Sequence, residues 1–215
     1  MTLVGHSAPD FTATAVLHDK QVVHDFSLSK YLGEKAVVLF FYPKDFTFVC
    51  PTELWAFQKH QQAFEARGAV VVGCSTDTAE THSAWLRTPA QEGGIQGVTY
   101  PLIADEDKTI ASRFGVLGGR WSWDEQGQLV FEGPHPVAYR ATFLIDTHGI
   151  VRHASVNDLP LGRNVAEVLR TLDMWQHVEK HGQVCPAGWQ EGAAAMEPTA
   201  EGVASYMRTH HDHHA

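Results

Sequence analysis

The sequence predicts an α/β protein with a thioredoxin-like sandwich, in which helices flank a central mixed sheet. Three patterns predict it: a buried strand, helix and strand over residues 36–74, a hairpin over residues 141–156, and a long amphipathic helix after residue 164. A strand, a helix and a second strand in that order imply a parallel pair with a right-handed crossover. The 215 residues are enough for one sizeable domain and a C-terminal arm.

The strands are predicted from two kinds of apolar pattern. Residues 11–17 and 22–26 alternate in polarity, and the polar link at residues 18–20 favours a hairpin turn. Residues 35–42 and 69–74 are instead near-continuous runs of β-branched, aromatic and small apolar residues. Such runs are typical of strands that are covered on both faces.

One helix is predicted between the two buried strands, from Pro51 to Arg67. Proline suits the first helical position, and Gly68 suits the left-handed residue that follows a helix. The expected inner face carries residues at helical spacing: Leu54, Phe57, Gln61 and Phe64.

The second half of the chain predicts two short helices, a hairpin and a long helix. Residues 78–87 and 107–114 are expected to be helical, and residues 141–146 and 150–156 are expected to pair around a turn. Asn164 and Glu167 fit a capping box. The apolar stripe that follows consists of Val165, Val168, Leu169, Leu172 and Trp175.

Two domains are expected from this order of elements. Residues 1–163 form the thioredoxin-like domain, and residues 164–215 form a helix and an arm that carries Cys185. The long helix should stop near Gly182, which leaves Cys185 in a mobile segment. From Gln190 onward, the sequence predicts a loose arm.

Composition excludes several classes of function. The net charge of −9, from 16 basic and 25 acidic residues, argues against binding nucleic acid or an anionic membrane by bulk attraction. The longest apolar run, residues 36–42, is far too short to span a bilayer. Residues 1–6 lack a basic region and an apolar signal core, and three cysteines are too few for a disulfide scaffold. We therefore expect a cytoplasmic protein.

Cys50 is the candidate nucleophile. It precedes Pro51 at the predicted start of a helix, at the carboxyl end of a predicted parallel strand, where α/β proteins place their ligands. Free backbone N–H groups and the helix dipole favour negative charge there. Thiols at helix N-termini have pKa values lowered from roughly 8.5 to about 3.5–7.5, so they are nucleophilic thiolates at neutral pH. We favour this role over the alternative, a cysteine buried as a small apolar residue.

The sequence alone does not decide the roles of the other candidate residues. Cys74 lies within a predicted buried strand and is expected in the core, whereas Cys185 is either a second reactive thiol or an idle one. Arg140 is a surface residue unless the fold brings it to Cys50, where it would stabilise a thiolate and hold an oxygen substrate. The histidines of residues 210–214 would bind metals weakly and without a defined geometry, so no structural metal is expected.

Several segments resemble those of the typical 2-Cys peroxiredoxins, in particular the bacterial alkyl hydroperoxide reductase C type. The resemblance covers nearly the whole chain. Its two long motifs are Phe41-Tyr42-Pro43-Lys44-Asp45-Phe46-Thr47-Phe48-Val49-Cys50-Pro51-Thr52-Glu53 and Gly182-Gln183-Val184-Cys185-Pro186-Ala187-Gly188-Trp189. Shorter matches are Ser75-Thr76-Asp77, Trp85, Arg140-Ala141-Thr142-Phe143 and Asp158-Leu159-Pro160-Leu161-Gly162-Arg163.

The resemblance implies a peroxidase with neither metal nor haem, which reduces hydrogen peroxide and organic hydroperoxides in antioxidant defence. Cys50 would be the peroxidatic thiolate and would become a sulfenic acid. Thr47 and Arg140 would hold the peroxide oxygens, Pro43 would shield the site from water, and Glu53 would orient Arg140.

The resemblance also implies partners. Cys185 of a second chain would attack the sulfenic acid and form an intermolecular disulfide. Thioredoxin or a flavoprotein reductase would then reduce that disulfide. The family forms antiparallel homodimers, often closed into decameric rings of five dimers.

Two departures from the family pattern carry predictions. Gly118-Gly119-Arg120-Trp121 stands where overoxidation-sensitive members have Gly-Gly-Leu-Gly, and Tyr206-Met207 stands where they have Tyr-Phe. We therefore predict relative resistance to overoxidation. Residues 118–139 are longer than is usual in the family and predict an added surface hairpin.

Two other functions compete with the peroxidase. A chaperone-like holdase assembly would need exposed apolar surface and no chemistry at Cys50. A thioredoxin-like disulfide oxidoreductase is disfavoured because no Cys-x-x-Cys motif is present.

Overall fold

The computed structural model describes residues 2–123, 125–132 and 136–210. The chain divides into two compact units, Met1–Val165 and Ala166–Ala215. The predicted thioredoxin-like α/β sandwich is confirmed, since the first unit is built on a mixed sheet with helices packed against it.

The described strands are β1 (Ala13–Val16), β2 (Val22–Phe26), β3 (Ala36–Phe41), β4 (Ala69–Ser75), β5 (Leu102–Ala104), β6 (Arg120–Trp123), β7 (Leu129–Glu132), β8 (Arg140–Ile145) and β9 (Val151–Asn157). Seven of them form one sheet in the order β2-β1-β5-β4-β3-β8-β9. The pairs β3–β4 and β4–β5 are parallel, whereas β8 is antiparallel to both of its neighbours. Strands β6 and β7 pair with each other in a separate two-stranded sheet, which confirms a hairpin within residues 118–139. His135, which belongs to that stretch, lies outside the described residues.

The described α-helices are α1 (Cys50–Lys59), α2 (Gln61–Ala66), α3 (Ala79–Trp85), α4 (Thr109–Arg113), α5 (Val165–His181) and α6 (Ala200–His210). Two short 3-10 helices lie at Leu28–Tyr31 and Ala90–Glu92. Helix α1 follows β3 after a loop of eight residues, 42–49, and thereby starts at the carboxyl end of an interior strand of the sheet.

The core is built on both faces of β3, because successive strand residues point to opposite sides of a sheet. On one face, the ring of Phe40 stacks on Phe57 of α1 with 4.1 Å between centroids. On the other face, the Phe41 ring packs against the rings of Phe114 and Phe143, with 5.3 and 5.9 Å between centroids. Burying an aromatic side chain of this size stabilises the fold by about 1.5–3 kcal/mol. This packing fixes the end of β3 and the start of α1.

The single helix predicted from Pro51 to Arg67 is wrong in two respects. The helix begins one residue earlier, at Cys50, and it is interrupted at His60, whose backbone angles are φ −100° and ψ 5°. The His60 N–H bonds to the carbonyl of Phe57, three residues back, at 3.1 Å, and a new helix starts after it. The expected end is confirmed, since Gly68 takes a left-handed φ of +64°.

The loose arm predicted from Gln190 is wrong over residues 200–210, which form α6. Two local contacts stabilise this helix. The Thr199 hydroxyl accepts the Gly202 N–H at 3.0 Å, and the Tyr206 ring stacks on His210 with 4.2 Å between centroids. Gly202 within the helix and its few apolar positions hid the helical pattern.

Candidate active site

Cys50 lies at the first turn of α1, with its side chain buried and 0% exposed. Pro51 follows it at a position where the missing N–H costs no helical hydrogen bond. The Thr47 hydroxyl lies 2.9 Å from the Cys50 sulfur and donates to it. The same hydroxyl lies 2.9 Å from the Lys44 carbonyl, which competes for its one proton. A negative charge on sulfur favours donation to Cys50.

The fold brings Arg140 to Cys50, which the sequence left open. Arg140 is the first residue of β8, and the antiparallel pairing of β8 with β3 places Arg140 at the carboxyl end of β3. Its Nη1 lies 3.4 Å from the Cys50 sulfur and 2.7 Å from a carboxylate oxygen of Glu53. Burial lowers the pKa of Arg140, but its hydrogen bonds to Cys50 and Glu53 outweigh this and raise the pKa overall.

Glu53 joins two guanidinium groups in this buried site. Besides Arg140, it accepts from Arg163 through both oxygens, at 2.9 Å each, and from the Arg163 backbone N–H at 3.0 Å. The three side chains are between 2 and 5% exposed. Two positive charges therefore face one carboxylate, and an ionised Cys50 would make the cluster neutral.

Arg163 is a site residue whose role was not predicted from the sequence. Its Nη1 donates to the carbonyls of Phe41 and Ala141 at 2.7 Å, so it also ties the ends of β3 and β8 together. Two features of the sequence point to it. A buried Glu53 needs a cationic partner, and Arg163 is the last residue of the segment 158–163, which resembles the family.

The loop before Cys50 is held by a buried polar network. The Asp45 carboxylate accepts from the Tyr42 hydroxyl at 2.8 Å and from His82 Nδ1 at 2.7 Å. His82 Nε2 donates to the Ile103 carbonyl at 3.1 Å, so a charged imidazolium has an acceptor for each N–H. Burial lowers the pKa of His82, but its bond to Asp45 outweighs burial and raises it. The Asp45 backbone N–H donates to Asp77 at 2.8 Å.

Two other residues of this loop, Pro43 and Phe46, differ in exposure and in backbone strain. Pro43 is buried in the loop seven residues before Cys50. Phe46 takes a left-handed φ of +52°, which is unfavourable for a residue with a bulky side chain, and its ring lies 5.9 Å from that of Trp85. The loop that carries Thr47 is thus both anchored and strained.

The remaining cysteines differ in their surroundings. Cys74 is 0% exposed in β4, as expected for the core, and burial raises the pKa of its thiol well above the usual value. Cys185 lies in the second unit and is half-buried, with its sulfur 3.8 Å from the Met174 carbonyl oxygen. Burial raises the pKa of Cys185 as well, partly offset by the charge of Arg170.

The described part of the chain holds neither a cluster of metal ligands nor a membrane-spanning helix. There, no three His, Cys, Asp or Glu side chains converge as metal ligands would. Residues 211–215 of the histidine-rich tail lie outside this part. No helix within residues 2–123, 125–132 and 136–210 combines the length and the apolar character that crossing a bilayer requires.

A buried thiol with a hydroxyl donor and a guanidinium beside it is suited to attack an electrophilic oxygen, which is the chemistry of a thiol-dependent redox enzyme. Residues 4–154 match the AhpC/TSA family, and residues 174–208 match the C-terminal domain of 1-Cys peroxiredoxin. The chain belongs to the AhpC/TSA family of peroxiredoxins and is a thiol-dependent peroxidase.

Individual relatives agree with this assignment. Alkyl hydroperoxide reductase C of Helicobacter pylori is 48% identical over 206 residues, which cover 96% of each chain. Thioredoxin peroxidase of Echinococcus granulosus is 43% identical and covers 95% of this chain and 97% of its own. The reduced 2-Cys peroxiredoxin of Plasmodium vivax superposes with a TM-score of 0.86 at 43% identity, covering 97% of this chain and all of that one. These matches do not favour the chaperone-like alternative.

Proposed function

We propose that the protein reduces hydrogen peroxide and organic hydroperoxides with Cys50 as the peroxidatic thiol and Cys185 as the resolving thiol. The observation that carries the proposal is the convergence of Thr47 and Arg140 on the buried Cys50 sulfur, at 2.9 and 3.4 Å. Both groups donate hydrogen bonds, so they stabilise a thiolate there and the charge that develops on a peroxide oxygen.

The first step oxidises Cys50. The thiolate attacks one peroxide oxygen, the O–O bond breaks, and the other oxygen leaves as water or an alcohol after taking a proton. Thr47 and Arg140 hold the two oxygens in line with the sulfur. Glu53 keeps Arg140 in place through its 2.7 Å ion pair, and Pro43 keeps water from the site.

The second step joins two chains. The thiolate of Cys185 from a partner chain attacks the Cys50 sulfur, a disulfide forms, and hydroxide leaves and is protonated to water. Because Cys50 is 0% exposed, the first turn of α1 must unwind before this attack. The strained loop at Phe46 lowers the cost of that opening.

We also propose a reductant, an assembly and a location for the protein. Thioredoxin or a flavoprotein disulfide reductase restores the thiols, and a relative that is itself named thioredoxin peroxidase supports the first of these. The functional assembly is a homodimer, with dimers closed into a decameric ring. Residues 1–163 form the peroxidase domain, and residues 164–215 form the helix and arm that supply Cys185. The three free cysteines suit the reducing cytoplasm.

A non-reducing gel after stoichiometric hydrogen peroxide tests the two-thiol cycle. We expect the wild-type protein to give a dimer band that is absent in Cys50→Ser and in Cys185→Ser. The matched control is Cys74→Ala, which removes the core thiol and should leave the band intact. A band that persists without Cys185, or an oxidised monomer in the wild type, contradicts the proposal.

A further inference from the structure

Arg170 on α5 lies at the point where the segment that carries Cys185 meets the helix. We call residues 184–189 the Cys185 turn. Arg170 Nη1 donates to the Trp189 carbonyl at the end of this turn, at 2.7 Å. The rest of the guanidinium is held in a bidentate pair with Glu167, at 2.7 Å for each bond. The fork geometry of Arg170 therefore joins a fixed carboxylate on α5 to the Cys185 turn.

The Cys185 turn is anchored at both ends. At its start, Val184 exchanges two backbone hydrogen bonds with Met196, at 2.8 and 3.0 Å. At its end, Trp189 is 3% exposed, and its ring lies 4.9 Å from that of His177. The bond from Arg170 to Trp189 is the charged member of this second anchor, and hydrogen bonds with a charged partner are roughly twice as strong as neutral ones.

Cys185 and Arg170 also share a neighbour, Met174 of α5. Met174 contacts both, because its sulfur lies 2.9 Å from Arg170 Nη1 and its carbonyl oxygen lies 3.8 Å from the Cys185 sulfur. The guanidinium favours negative charge on that sulfur and so opposes the effect of burial on the pKa of Cys185. An ionised thiol at this place is what the attack on a sulfenic acid requires.

We propose that Arg170 is a positioning residue for the resolving step, which fastens the Cys185 turn to α5 and holds a permanent positive charge near the Cys185 thiolate. The inference rests on the resolving role proposed for Cys185. In that step the Cys185 thiolate forms a bond with the Cys50 sulfur, the S–OH bond breaks, and the hydroxide released is protonated to water. Arg170 keeps its charge throughout and takes no proton.

Arg170→Met and Arg170→Lys separate the anchor from the charge. Methionine removes both, whereas lysine keeps the charge and loses the planar fork. The control is Arg208→Met, which removes an exposed cation from α6 in the same unit. Circular dichroism checks that each variant is folded, and all experiments use the full-length chain.

The first measurement is alkylation of Cys185 by iodoacetamide in a Cys50→Ser background, followed by peptide mass spectrometry over a range of pH. Loss of a nearby charge lowers the thiolate population about tenfold, but a more basic thiolate is a better nucleophile, so the net rate at neutral pH should fall about threefold. We expect this fall, with a profile moved to higher pH, for Arg170→Met. Arg170→Lys and Arg208→Met should match the parent.

The second measurement is the single-turnover rate of disulfide formation with both redox cysteines present. We expect Arg170→Met to lower it about tenfold, because the charged bond to Trp189 is lost. We expect Arg170→Lys to lower it about threefold, because an ammonium group cannot pair bidentately with Glu167 while it donates to Trp189. The rate of Cys50 oxidation, measured in a Cys185→Ser background, should not change.

Unchanged alkylation and disulfide formation in folded Arg170→Met would overturn the inference, and so would an equal slowing of Cys50 oxidation. If Arg170→Met does not fold, a wild-type disulfide rate in Arg170→Lys refutes the anchor. Failure of the proposed function gives a different result, because the wild-type protein would then form no disulfide. The alkylation experiment would still decide whether Arg170 activates Cys185.

Discussion

The hydroxyl of Thr47 should account for a large part of the reactivity of Cys50. Thr47→Val replaces the hydroxyl with a methyl group of similar size and removes the 2.9 Å hydrogen bond to sulfur. A hydrogen bond to a charged group contributes about 1.5–3 kcal/mol, and a factor of ten in rate corresponds to about 1.4 kcal/mol. We therefore expect the second-order rate constant for Cys50 oxidation by hydrogen peroxide to fall about 10- to 150-fold.

The assay is single-turnover oxidation in a Cys185→Ser background, which isolates the first step from disulfide formation. Thr47→Ser keeps the hydroxyl and should retain most of the rate. Thr52→Val is the matched control, because the Thr52 hydroxyl lies nearby in the first turn of α1 but donates to the Val49 carbonyl at 2.6 Å and not to sulfur. A wild-type rate for Thr47→Val, or an equal loss for Thr52→Val, would refute the reasoning.

Three further predictions concern Glu53, Asp105 and the overoxidation of Cys50. Glu53→Gln leaves two buried guanidinium groups without their carboxylate, so the free energy of unfolding measured with urea should fall by about 3–5 kcal/mol. The exposed control Glu65→Gln should lower it by about 0.5 kcal/mol or less, and equal losses in the two variants would contradict this reasoning. Burial raises the pKa of Asp105 from 3.8 to about 6. Because this lies above the unfolded value, the extra stability of the protonated form is lost as the pH rises from about 4 to about 6. The unfolding free energy of the wild type should therefore fall relative to Asp105→Asn across that window, and a constant difference would show the opposite. Finally, excess peroxide should leave Cys50 mostly as disulfide, and ready formation of sulfinic acid in mass spectra would rule out resistance to overoxidation.

The sequence predicted the position of Cys50 because the signals for it are local. A continuous apolar strand, a short loop and Pro51 together indicate a helix start at the carboxyl end of a strand, and the structure places Cys50 there. The helix end at Gly68 is equally local.

Arg140 and Arg163 could not be placed from the sequence, because their positions depend on long-range pairing. Arg140 is 90 residues from Cys50, and the register of β8 on β3 brings the two together. Arg163 is 110 residues from Glu53, and its role follows only from the need to satisfy that buried carboxylate.

The missed elements have weak signals. Strand β5 has only three residues, Leu102–Ala104, and owes its place to pairing with β1 and β4 on either side. The break at His60 involves neither glycine nor proline, the residues that usually mark a helix end. Helix α6 has no buried residues, its apolar face is short, with Val203, Tyr206 and Met207, and Gly202 in its first turn is a poor helix former, so its helical signal is weak.

Trapping the sulfenic acid tests the central claim most directly. Cys185→Ser protein treated with stoichiometric hydrogen peroxide in the presence of dimedone should carry the adduct on the peptide that contains Cys50, and none on the peptide that contains Cys74. Absence of an adduct at Cys50 while peroxide is still consumed would contradict the account.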